Sequence, residues 1–278
     1  MISQLAGAFV RAVFVVLLIA MPTLLLPGQS SDTAQIVTLV ALFSAILIMI
    51  EYASNYPSLI EFRDAPPFNR VRFLSLFITV FLLTIICRGR TDPTTLTQFL
   101  TTIGALIGHA IDFPYSPVRL VLSMFPDGTD RASLALVRTT AGLSYLISLL
   151  SLAVFLIVLR LQGWPMKGRS FNVWVNLPTF DPTAGGDVVD RLIRDARFNI
   201  SLGFLLPFLT PLAVKSAAAL FDPLATTSSQ TLIWTVAAWA FLPASLFMRG
   251  IAMGRIADMI TEQRRQSHEL AQNGLAHA

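Results

Sequence analysis

The chain has 278 residues, 54% of them hydrophobic and 13% charged, with a mean hydropathy of +0.68. Soluble domains carry about 25% charged residues, so the bilayer is the natural solvent, and beside about six spans of roughly 20 residues no polar stretch is long enough to bury a core of its own. The formal charge of +4 contains no dense basic run, which argues against nucleic acid and for anionic headgroups, and the single cysteine, Cys87, excludes intramolecular disulfides and thiolate metal clusters.

The first apolar run, residues 9 to 26, carries Arg11 near its start and Pro22 inside it. With that single arginine as its leading charge and no clear small-x-small cleavage site, it reads as an uncleaved first helix. The turn PGQSSDT holds no Lys or Arg, and a second run, residues 34 to 53, returns across the membrane. The next loop holds Glu61, Arg63, Asp64, Pro66, Pro67, Arg70 and Arg72, and its positive charge assigns it, and the N-terminus, to the cytoplasm. A third span at 71 to 87 emerges at Arg88 and Arg90, against the positive-inside rule.

Residues 96 to 125 are apolar but rich in threonine and interrupted by Pro114 and Pro117. The next clear span, 139 to 160, ends at the basic residues Arg160, Lys167 and Arg169, so this region holds an even number of crossings. The reading adopted is zero, a re-entrant or interfacial helix pair on the outer side. Two short tilted crossings are the alternative.

A cytoplasmic loop, 161 to 197, follows. Its segment NVWVNLPTFDP is extended by texture and offers Trp174, Asn176 and Phe180 as partner-facing residues. Its second part is an amphipathic helix expected along the membrane surface, with Val188, Val189, Leu192, Ile193 and Ala196 on one face and the i,i+4 pairs Asp187–Arg191 and Asp190–Arg194 on the other. A fifth span, 198 to 220, contains Pro207 and Pro211, and a sixth, 231 to 249, contains Trp234, Trp239 and Pro243. The expected architecture is an all-α polytopic transmembrane bundle, one membrane domain over residues 1 to 260, and a polar C-terminal tail at 261 to 278. Of the 20 Lys and Arg residues, all but Arg88, Arg90, Arg119, Arg131, Arg138 and Lys215 fall on the cytoplasmic side.

Ionisable groups inside a bilayer cost about 2.5–3.5 kcal/mol at a helix centre, so each needs a partner or a purpose. Arg11, Glu51, Arg160 and Arg249 lie near span ends, where snorkelling accounts for them. His109 sits inside an apolar run, three residues before Asp112. An imidazole there suits a pigment, a quinone or a lipid, or a plain hydrogen bond to Asp112 or to a backbone carbonyl. Lys215 and Asp222 are two turns apart near the outer end of the fifth span, as an ion pair or a transport site, and Arg138 is a candidate partner for Asp112 or Asp222. Gly104 with Gly108, and Gly250 with Gly254, form GxxxG patterns that allow close helix approach. No Walker loop, GxSxG elbow, HExxH or CxxC motif occurs, and no residue set calls for a metal. The expectation is a non-enzymatic accessory, assembly or structural subunit of a larger complex in a bacterial inner membrane, in contact with lipids and other integral membrane proteins, with both termini cytoplasmic. The alternative is a small secondary transporter or channel.

Overall fold

The structure is a computed structural model and describes residues 2–63, 66–126, 128–165, 176–181, 183, 185–218 and 228–276. Among these the regular elements are helices: α1 (Ile2–Leu25), α2 (Ser31–Ala53), α3 (Pro66–Arg88), α4 (Thr95–Ile111), α5 (Pro117–Leu122), α6 (Arg131–Gln162), α7 (Val188–Ala218) and α8 (Ser229–Ala276). Six of them, α1, α2, α3, α6, α7 and α8, are long and apolar enough to cross a membrane, which makes this a multi-pass membrane protein.

Short polar side chains set where the helices begin. Ser30, Ser116, Asp130, Asp187 and Ser228 each accept a hydrogen bond from a first-turn amide, of Thr33, Arg119, Ser133, Val189 and Thr231 respectively. Thr94 and Thr97 form a reciprocal capping box at α4. Gly163 ends α6 in the left-handed conformation, at φ 59°.

In lipid, water does not drive helices together, so contact depends on how closely backbones can approach. A Cβ on Gly142 of α6 would lie 2.5 Å from the Cα of Gly108 on α4, and one on Gly108 would lie 2.7 Å from the Arg138 carbonyl. Gly104 and Gly108 of α4, and Asp112 just past its end, meet residues 138 to 142 of α6. The first turn of α4 meets Gly89 just past the end of α3. With 17 residues in α4 and six in α5, this pair is shorter than the six span-length helices.

Helices α7 and α8 are antiparallel along their length. Gly250 approaches Ala196, Gly203 approaches Pro243, and the Trp239 indole reaches Pro207. That last bond resolves the proline problem: Pro211 has no N–H to offer the Pro207 carbonyl, and Trp239 Nε1 donates to it instead, at 3.2 Å. Helix α7 stays continuous through Pro207 and Pro211, and α8 through Pro243.

Two expectations change. The amphipathic stretch is not a separate surface helix but the first turns of α7, because Leu192 and Ala196 are buried in the same cluster as Met253, Ile256 and Ala257 of α8. The polar tail continues α8 as helix as far as Ala276, supported by Arg265 bonds to Glu262 and Glu269 one turn away on either side.

Candidate functional site

Ionisable side chains gather at the two ends of the bundle. At the end where both termini lie, α2 closes on Glu51, which is 5% exposed. Its carboxylate accepts from the amides of Ser58 (3.0 Å), Leu59 (2.9 Å) and Ile60 (3.1 Å) and from the Ser58 hydroxyl (2.5 Å), so a nest of N–H groups replaces the water that snorkelling would have reached. Arg63 donates to the carbonyls of Glu51 and Ser54. Phe62, at φ 53°, turns the chain in a conformation unusual for an L-residue, and it is held there by complete burial against Phe68, by its N–H on the Asn176 carbonyl (2.6 Å), and by Asn69 on the carbonyls of Glu61 and Phe62.

That turn aims Glu61 at α8. Arg249 donates from Nε (2.6 Å) and Nη2 (2.8 Å) to the two carboxylate oxygens, and Thr179 donates to Oε1 (2.6 Å). Burial on its own raises the Glu61 carboxyl, but the Arg249 and Thr179 hydrogen bonds outweigh it and hold it below the usual range. One carboxylate thus joins the α2–α3 loop, the segment before α7, and α8. At the exposed start of α7, Asp187 is likewise held low by the Arg264 guanidinium at 2.6 Å and by the Val189 amide.

At the opposite end Asp112 follows α4, where the helix dipole disfavours a negative charge. Its side chain is only 4% exposed and lies between two arginines. Arg138 Nε donates to Oδ2 at 2.8 Å, while Arg119 Nε stands 2.7 Å from Oδ1 but off the line of a hydrogen bond, supplying charge. Arg88 pairs with Asp92 at 2.7 Å. At this end, therefore, Arg88 has Asp92 as its partner while Arg119 and Arg138 share Asp112.

His109 does not join Asp112: its side chain is exposed and, with Thr101, Thr102 and Ala105, lines a shallow groove of about 440 Å³ along α4. It offers one ligand nitrogen, and among the described residues no group of three or more His, Cys, Asp and Glu that would hold a metal ion occurs. Gly104, Gly108 and Gly250 are points of close contact, whereas a Cβ on Gly254 would lie 4.0 Å from the Ala196 Cβ, an ordinary distance. Asn176 and Phe180 are buried, Phe180 beneath the Arg191 guanidinium at 4.8 Å, so they pack within the chain and do not face a partner. Lys215 is exposed on α7. Asp222 and Trp174 lie outside the described residues.

The residues missed by sequence reading are Glu61, Thr179 and Arg72, and the nest around Glu51. Their one signal is charge beside the Pro66–Pro67 helix start, which carries no spacing rule. No family model, curated protein or solved structure matches the chain.

Proposed function

We propose that this chain is a non-enzymatic subunit of a bacterial inner membrane, one that packs against other integral membrane proteins as an accessory or assembly component, with both termini in the cytoplasm. The observation that carries the reading is where the polar groups point. Glu51, Glu61 and Asp112 are each engaged by donors or cations of this chain. Thr79, Thr84, Thr140, Ser148 and Ser151, between the helices, bond to carbonyls of their own helices. Catalysis and transport need such groups aimed at open space, and here they fix the fold.

Much of the outward surface of the spans is apolar. Of the 23 residues in α2 only Ala41 and Glu51 are buried, and its packing within the chain is against α1. The test is purification of the tagged chain from its native membrane in mild detergent, with mass spectrometry, an absorption spectrum, and photo-crosslinking from Phe43 and Ile46 on α2. Stoichiometric proteins crosslinked from α2 support the subunit reading. A lone, colourless chain with no crosslinks sinks it and moves the assignment to transport.

A further inference from the structure

We propose that Arg72, with Arg11 and Tyr52, holds the phosphodiester of an anionic phospholipid at the end of the bundle where both termini lie. Arg72 occupies the second turn of α3, with its guanidinium carbon 4.9 Å from the centre of the Phe68 ring and 5.8 Å from that of Phe241. Those rings pack against the cation but offer its N–H groups no hydrogen-bond acceptor. Nε is buried with no hydrogen-bond partner, and among the described residues no carboxylate is in ion-pair contact with Arg72. Glu61, the carboxylate within electrostatic range, is already taken by two bonds from Arg249. Two arginines thus share one carboxylate, and a positive charge is left over in a partly buried place.

Arg11 adds a second. It donates from Nη1 to the Gly7 carbonyl at 2.7 Å, which bends it toward the same end, and its guanidinium carbon lies 4.5 Å over the Tyr52 ring. Phe14, one turn along from Arg11, meets Phe73, the neighbour of Arg72, at 6.1 Å between ring centres, so the two arginine-bearing turns stand at one level. Tyr52 is within electrostatic range of both cations. A phosphodiester has two unbridged oxygens to match a guanidinium fork, and a tyrosine at a span end marks headgroup depth. Val10 and Phe14 of α1 are exposed and offer an acyl chain an apolar wall.

A lipid is favoured over an acidic peptide because the unmet charge lies at the depth where phosphates already are. The site stands whether or not the subunit reading holds. The experiment is native mass spectrometry of the full chain in mild detergent, titrated with phosphatidylglycerol or with phosphatidylcholine, whose choline cation the arginines repel. Wild type is expected to retain phosphatidylglycerol preferentially, and Arg72→Gln and Arg11→Gln each to lose about fivefold of that retention. Arg160→Gln, an exposed arginine on α6, is expected to leave it unchanged. Should Arg72→Gln fail to fold, the exposed Arg11→Gln carries the test alone. Equal retention of the two lipids, or a preference untouched by Arg72→Gln and Arg11→Gln, overturns the proposal. Displacement of the lipid by inorganic phosphate assigns the site to free phosphate, and an acidic protein crosslinked at Tyr52 in native membranes with no lipid retained assigns it to a partner; both also overturn it.

Discussion

Each end of the bundle is built on one carboxylate gripped by arginine, but the two grips differ in reach. Asp112 finds its partners seven and 26 residues away, within the α4–α6 stretch. Glu61 finds Thr179 and Arg249 at separations of 118 and 188 residues. The first grip tidies a local corner, where half-exposed arginines neutralise a carboxylate at a helix C-terminus. The second is a keystone, because hydrogen bonds from the segment before α7 and from α8 converge on that one carboxylate of the α2–α3 loop, beside a buried apolar cluster that Phe62, Leu177, Phe180 and Met253 share. Closing such separations costs chain entropy that the bonds must offset, so the keystone forms only when the bundle is complete.

The contrast is broken most directly at the keystone. Arg249→Gln strands a mostly buried carboxylate, and a loss of about 3 kcal/mol is expected from thermal unfolding in detergent, somewhat less for Glu61→Gln. The double variant should recover part of the loss, and strictly additive losses would refute a coupled pair. The pH dependence follows in sign. The folded Glu61 carboxyl is held below its unfolded value of 4.5, so its contribution is complete above that value and disappears as pH falls through the lower folded one. An acid titration of unfolding temperature should show this loss in wild type and a flatter profile in Glu61→Gln.

Smaller effects separate the glycines. Gly142→Val places carbon against the Gly108 backbone and should cost about 1–3 kcal/mol, whereas Gly254→Ala should be neutral or stabilise by up to about 1 kcal/mol, since it gains helix propensity where there is room. Equal losses at the two sites would mean that both GxxxG patterns are tight contacts. The smallest changes belong to the local corner. Asp112→Asn and Arg138→Gln should each cost about 1–2 kcal/mol, and Arg119→Gln, whose side chain is 52% exposed and whose hydrogen bond reaches only the Asp112 backbone carbonyl, about 0.5 kcal/mol or less. A larger loss for Arg119→Gln than for Arg138→Gln would reverse the assignment of the hydrogen-bonded partner.

What could be read in advance depended on range. Twenty apolar residues in a row are a bilayer span whatever surrounds them, so the six spans were legible, as was the Gly104–Gly108 face, whose signal lies within one turn. The surface helix was misread because amphipathicity names a buried face without naming what covers it; here α8 does, and α7 runs on unbroken. His109 and Asp112 share a face by number, yet the arginines of α5 and α6 take the carboxylate and leave the imidazole outside. Gly250 and Gly254 are alike in sequence and differ only in how near α7 comes to each.

The sequence by itself determined the solvent and the number of spans, because hydropathy acts along the chain. Tertiary structure alone decided that Glu61 meets Arg249, that Trp239 serves the carbonyl Pro211 cannot, and that Arg72 has no carboxylate in ion-pair contact among the described residues. Each of these depends on which side chains meet across helices far apart in number, and no local pattern records that.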